Sequence, residues 1–200
     1  MHKELQGFGD HAIATLNTNA ISAEDMGVHG HYYVLCKDAQ GNIKWEEEFP
    51  NLVVAVGKQL MLDTLLRTTG TYTTVGPFLG LIGNSTTFAA ADTMTSKTWT
   101  EFTNYTVGGS AVRGTTSFSA ATSSGTTPTN VTTSAAASIT YTITGAGGTI
   151  YGCFLVTGTG AVNTQSSTAG TLYSEGNFTT SKAVTSGDTV AVTYSTTATS

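Results

Sequence analysis

The chain has 200 residues, 39% hydrophobic and only 10% charged, with a net charge of -5 at pH 7. This length fits one domain, or one domain with an appendage, and can bury a sizeable core. The charged share lies far below the roughly one quarter of an ordinary globular domain, and no basic footprint argues for direct nucleic-acid binding. No stretch approaches the roughly 20 apolar residues of a membrane span. The start, MHKELQGFGDHAIATL, lacks the apolar run of a signal peptide, so synthesis and assembly in a cytoplasm are expected. Cys36 and Cys153 lie far apart and are read as two buried free thiols.

Residues 1–30 read as an N-terminal arm and residues 31–200 as one β-sandwich domain. The arm shows no sustained period, with at most a helical turn near Ile21–Met26. It carries Leu5, Phe8, Ile13, Leu16, Ile21 and Met26. Phe8, Ile13, Leu16 and Ile21 are the expected contacts with another subunit. The arm is expected to be mobile in the free protein and fixed on its partner.

HYYVLCKDAQGNIKWEEEF reads as a β-hairpin, with turn chemistry at Asp38–Asn42. Pro50 then stops the strand, and Asn51 suits a helix N-cap. A helix is expected over 52–66, with Glu46–Glu48 placed before its positive end. Its apolar residues occupy much of the circumference, so burial on more than one side follows. Val56, Leu60 and Leu65 are the expected core side chains. Gly57 lies inside the helix, where it suits close approach of another backbone.

Phe78–Ile82 is a strand candidate, and 89–105 a long loop anchored by Trp99 and Phe102. Further strands are expected at 112–118, 131–133, 138–144, 149–156, 171–178 and 189–196. A disordered low-complexity stretch competes with strand over 106–136. Ile139, Tyr141 and Ile143 form a period-2 face, as do Val190, Val192 and Tyr194. The fold class is therefore mainly β: an antiparallel sandwich, jelly-roll-like, with one buried helix. Charge is unevenly placed. Seventeen of the twenty-one charged residues occur by Glu101, leaving Arg113, Glu175, Lys182 and Asp188.

No motif rises to a catalytic site. His29 and His31 would share one strand side, yet zinc needs three or four ligands. Asp10-His11 lacks a nucleophile elbow. Glu46–Glu48 reads better as a strand–helix junction than as a glycosidase pair. Gly145–Gly148 lacks the lysine and helix of a phosphate loop. The triplets at Asn84, Asn104, Asn130 and Asn177 are expected by chance in so hydroxyl-rich a chain. No enzyme activity, metal or cofactor is expected.

One resemblance rests on order and spacing. The hairpin ends in D-x-x-G-N-x-K-W-x-E-E-F (Asp38–Phe49), followed by N-L-V-V (Asn51–Val54) and G-K-x-x-x-L-D-x-x-L (Gly57–Leu66). Then come F-L-G-L-I, A-A-D-T-M with W-T-E-F-T (Ala90–Thr103), and G-D-T-V-x-V-T-Y (Gly187–Tyr194). Over most of 32–196 this resembles a family of small structural proteins of tailed bacteriophages, encoded among head and tail genes. The arm is longer than in those relatives. The resemblance implies a virion protein, foremost a decoration or cement protein of the head shell, with the major capsid protein or other virion proteins as partners. It brings no catalytic residues. A homo-oligomer without membrane contact is expected. The alternatives are a tail, collar or fibre-base component and, from another class, a carbohydrate-binding or adhesion module.

Overall fold

Alternation of apolar and polar residues decides the first hairpin. The computed structural model describes residues 27–67, 75–122, 129–131 and 138–199. β1 (Gly27–Lys37) turns Tyr32, Val34 and Cys36 inward and His31 and Tyr33 outward, and pairs with β2 (Ile43–Pro50). Asp38 Oδ1 accepts the backbone N–H groups of Gln40 and Asn42 at 2.9 and 2.8 Å. Gly41 supplies the left-handed residue of the turn, at φ 88°. Residues 27–30, assigned to the arm on sequence, instead pair with β12. Phe8, Ile13, Leu16 and Ile21 lie outside the described residues.

The remaining elements are β3 (Leu52–Val53), α1 (Ala55–Leu66), β4 (Phe78–Ile82), β5 (Glu101–Phe102), β6 (Tyr105–Thr106) and β7 (Gly114–Thr115). They are followed by β8 (Thr129–Val131), β9 (Ile139–Ile143), β10 (Gly148–Thr157), β11 (Thr171–Val184) and β12 (Thr189–Thr199). Two six-stranded sheets result. One has the order β2-β1-β12-β9-β6 with β8 on β12; the other β3-β11-β10-β4-β5 with β7 on β4. Every pairing is antiparallel. The expected mainly-β sandwich with a single helix is thus the observed architecture.

Side chains of both sheets fill the space between them. Tyr32, Val34, Tyr141 and Val192 meet Leu79, Leu81, Cys153 and Leu155 in one cluster. Tyr32 stacks on Phe49, and Phe49 meets Phe178 edge-on at 4.9 Å between centroids. A second cluster covers another part of the second sheet: Ile82, Phe154, Val156 and Leu172 pack with Val54, Met94, Trp99 and Ala161. β10 therefore divides its residues, Cys153 and Leu155 to the first cluster, Phe154 and Val156 to the second. Burial on both faces explains its nearly continuous apolar sequence. Cys36 and Cys153 are both buried and unbridged.

The helix departs from expectation. It begins at Ala55, with Val54 as N-cap and no side-chain capping bond. Leu52 and Val53 pair with Glu175 and Ser174 of β11. Asn51 donates from Nδ2 to the Tyr194 hydroxyl at 2.8 Å instead of capping. The acidic run lies within β2 and serves the sandwich. Glu46 accepts from the Tyr33 hydroxyl, Glu47 accepts the Thr179 N–H and pairs with Lys182, and Glu48 faces His31.

Val56, Leu60 and Leu65 do not form a buried core set. Val56 and Leu60 are half-buried, and Leu65 is 77% exposed. The cause is where α1 touches β11. Gly57 is its one buried residue, and a Cβ there would lie 2.5 Å from the Tyr173 carbonyl oxygen. Contact is made by the first turns, while Leu62, Leu65 and Leu66 stay at the surface. The expected strand 112–118 contracts to Gly114–Thr115, beside a bridge from Val112 to Thr164. Of 131–133, Val131 is in β8 and the rest lies outside the described residues.

Candidate functional site

Two features stand apart from ordinary core packing. The first is a buried polar cluster under the loop that joins β4 to β5. Arg113, 1% exposed, donates from Nε and Nη2 to both Glu101 carboxylate oxygens, at 3.0 and 2.7 Å. Its Nη2 also donates to the Ser167 carbonyl at 2.7 Å, and the guanidinium lies 5.1 Å from the Phe154 ring centroid. Glu101 further accepts the Ser166 N–H and the Tyr105 hydroxyl. The pair is saturated with bonds inside the fold, as a buried ion pair must be to persist.

Glu175 is a further buried acidic residue. Its side chain sits in β11, and Trp99 Nε1 donates to Oε2 at 2.6 Å. Oε1 has no acceptor's partner. Burial pushes this carboxyl up to about 8, and the adjoining Asp92 carboxyl adds to the rise through a hydrogen bond and charge repulsion. At neutral pH Glu175 is thus chiefly the acid, and a proton on Oε1 donated to Asp92 removes the unsatisfied atom. Asp92 in turn accepts the Ala89 N–H at 3.0 Å, and Lys97 donates to the Met94 carbonyl at 2.9 Å. Glu175 and Asp92 are 0% and 7% exposed, so this carboxyl pair faces protein.

The second feature is a cleft of about 590 Å³ between α1 and the sandwich. Leu60, Met61 and Leu65 of α1 form one wall; Phe118, Tyr173 and Tyr194 lie across from them. Four of its threonine hydroxyls are engaged internally. Thr64 donates to the Leu60 carbonyl, Thr116 to Pro77, Thr157 to Val75 and Thr196 to His29, at 2.7 to 3.2 Å. Tyr173 donates to the Met61 sulfur at 3.4 Å. Burial raises the Tyr173 and Tyr194 phenols above their ordinary value, so both stay neutral. Among the described residues, no carboxylate, imidazole, amine or thiol lines the cleft. Its lining is mainly apolar, which suits docking.

No family model, curated protein or solved structure matches this chain.

Leu60 and Leu65, expected in the core, are brought together at the cleft wall, while Val56 packs against the second cluster. His29 and His31 are exposed on β1, and no group of three or more potential metal ligands occurs among the described residues. The two buried carboxyl and guanidinium groupings carried no spacing signal. Trp99 and Glu175 are 76 positions apart and belong to different elements.

Proposed function

We propose that this chain is a structural component of a tailed-bacteriophage particle, foremost a decoration protein of the head shell. The observation that carries this reading is the uncovered apolar surface of α1 beside its cleft. Leu62, Leu65 and Leu66 are 49%, 77% and 74% exposed, next to walls whose hydroxyls are already bonded. An exposed apolar cluster of this kind is a surface suited to being covered. Beside these leucines lies the Asp63–Arg67 ion pair at 3.7 Å, and this mainly apolar surface fits a protein neighbour better than a glycan. Tyr33 is the one exposed large aromatic among the described residues, and its hydroxyl is tied to Glu46. The ordered resemblance over most of 32–196 supplies the kind of particle.

Quantitative mass spectrometry of purified particles tests this. Copy numbers on the order of hundreds support a head decoration, whereas about a dozen or fewer indicate a closed tail or collar ring. Absence from purified particles overturns the proposal.

A further inference from the structure

We propose that the loop joining β4 to β5, residues 83–100, is a latch: a proton shared by Glu175 and Asp92 holds it shut, and loss of that proton opens it. One carboxyl belongs to the loop and the other to the sheet. Asp92 sits at a turn of the loop, where Oδ2 accepts the Ala89 N–H. Glu175 lies in β11, paired with Phe154 of β10 on one side and Leu52 of β3 on the other, so its backbone is fixed. Trp99, also of the loop, packs on Phe154 at 4.5 Å between centroids and donates its indole N–H to Glu175. The remaining oxygen, Oε1, has no partner among the described residues. A proton between the two carboxyls therefore joins loop to sheet. Without it, two carboxylates repel each other at residues 0% and 7% exposed.

The other charged and titratable groups around the pair do not replace the proton. Lys97, the facing cation, is tied within the loop to the Met94 carbonyl and lies over the Trp99 ring. Burial, then the nearby Arg113, holds its pKa below the ordinary lysine value. Arg113 is committed to Glu101 against the Phe154 ring. Tyr32 of β1 faces Glu175 as a neutral phenol bonded to Ser174. Besides the packing of Met94 and Trp99, the loop is tied to the fold by the Ala55 N–H on the Ala90 carbonyl and by Asn177 on the Thr86 carbonyl. A segment held in this way can open while the strands stay paired. Opening uncovers Ile82, Phe154 and Val156 of the second cluster.

Amide hydrogen exchange of the full chain, followed by NMR at intervals from pH 6 to 9 and corrected for the intrinsic rise of exchange with pH, tests this. The Asp92 and Lys97 amides, bonded to the Ala89 and Thr93 carbonyls, report on the loop. Their opening constant should rise roughly a hundredfold across this range and level off above pH 8, because Glu175 titrates at about 8 when closed and near 4.5 when open. The amides of β1 and β12 should keep their protection. E175Q and D92N should both hold the loop shut at pH 9. In the first the new amide donates to Asp92, and in the second to the ionised Glu175. Loop protection that is constant from pH 6 to 9, or that is lost together with that of the strands, overturns the proposal. So does either variant opening with the pH dependence of the wild type.

Discussion

Replacing Glu175 by glutamine should make the protein more stable at alkaline pH and remove part of its pH dependence. The folded carboxyl titrates at about 8 against an ordinary 4.5, chiefly because it is buried and then because Asp92 lies beside it. A raised acid pKa means that the folded state holds its proton longer than the unfolded state. The stabilisation is complete below pH 4.5, declines as pH rises, and is fully lost above pH 8. A separation of about 3.5 pH units corresponds to about 5 kcal/mol at most, at 1.36 kcal/mol per unit. Local release of the loop carrying Asp92, Lys97 and Trp99 limits the loss to what that loop's packing is worth. The value of about 8 already includes the lowering effect of Lys97, the cation facing this pair. In E175Q the amide oxygen accepts from Trp99 while the amide nitrogen donates to Asp92, reproducing the protonated acid at every pH. Urea unfolding followed by tryptophan fluorescence, at intervals from pH 4.5 to 9, measures the difference directly. The two proteins should nearly coincide at the acid end and separate by several kcal/mol at pH 9, with the variant more stable. Parallel profiles across this range refute the reasoning.

Breaking the other buried pair should act through a different cost. Arg113→Met leaves Glu101 buried with its charge unpaired, and chemical denaturation should register a loss of about 3–5 kcal/mol. Gly57→Ala should destabilise by more than the roughly 1 kcal/mol that alanine gains in a helix, because its Cβ meets the Tyr173 backbone; thermal unfolding checks the sign. Leu60→Ala should cost less than the 2–5 kcal/mol or so of a core truncation, and Leu65→Ala less than about 0.5 kcal/mol, since one is half-buried and the other exposed.

Much of the sandwich could be read from period-2 alternation. Ile139, Tyr141 and Ile143 mark β9, and Val190, Val192 and Tyr194 mark the inward face of β12, because each strand buries one side. The helix shows the limit of such reading. Apolar residues around α1 indicate that cover is needed, yet nothing in their spacing says whether the cover comes from the same chain. Asn51 was read as a cap from local chemistry, and a hydroxyl 143 positions away won its side chain. The Glu46–Glu48 run was likewise claimed by residues distant in sequence. A weak signal for the buried polar groups was nevertheless present. The four charged residues after Glu101 occur in a stretch almost devoid of charge, and each has a specific partner. Arg113 meets Glu101, Glu175 meets Trp99 and Asp92, Lys182 meets Glu47, and Asp188 meets Lys44 at 2.5 Å. The partners of all four come from earlier in the chain, so only the fold reveals them.

The ends of the two sheets carry a consequence for crowding. Among the described residues β3, β5 and β6, which terminate three of the four strand paths, are two residues long. The fourth terminus, β2, is longer but bears Lys44, Glu46, Glu47 and Glu48 and finishes at Pro50. Each terminal strand, being short or charged, by itself gives a neighbouring chain little backbone on which to add, although β3 pairs only with Ser174 and Glu175 of the fourteen-residue β11. Strand addition at those termini is therefore disfavoured, and any neighbour meeting them finds side chains first.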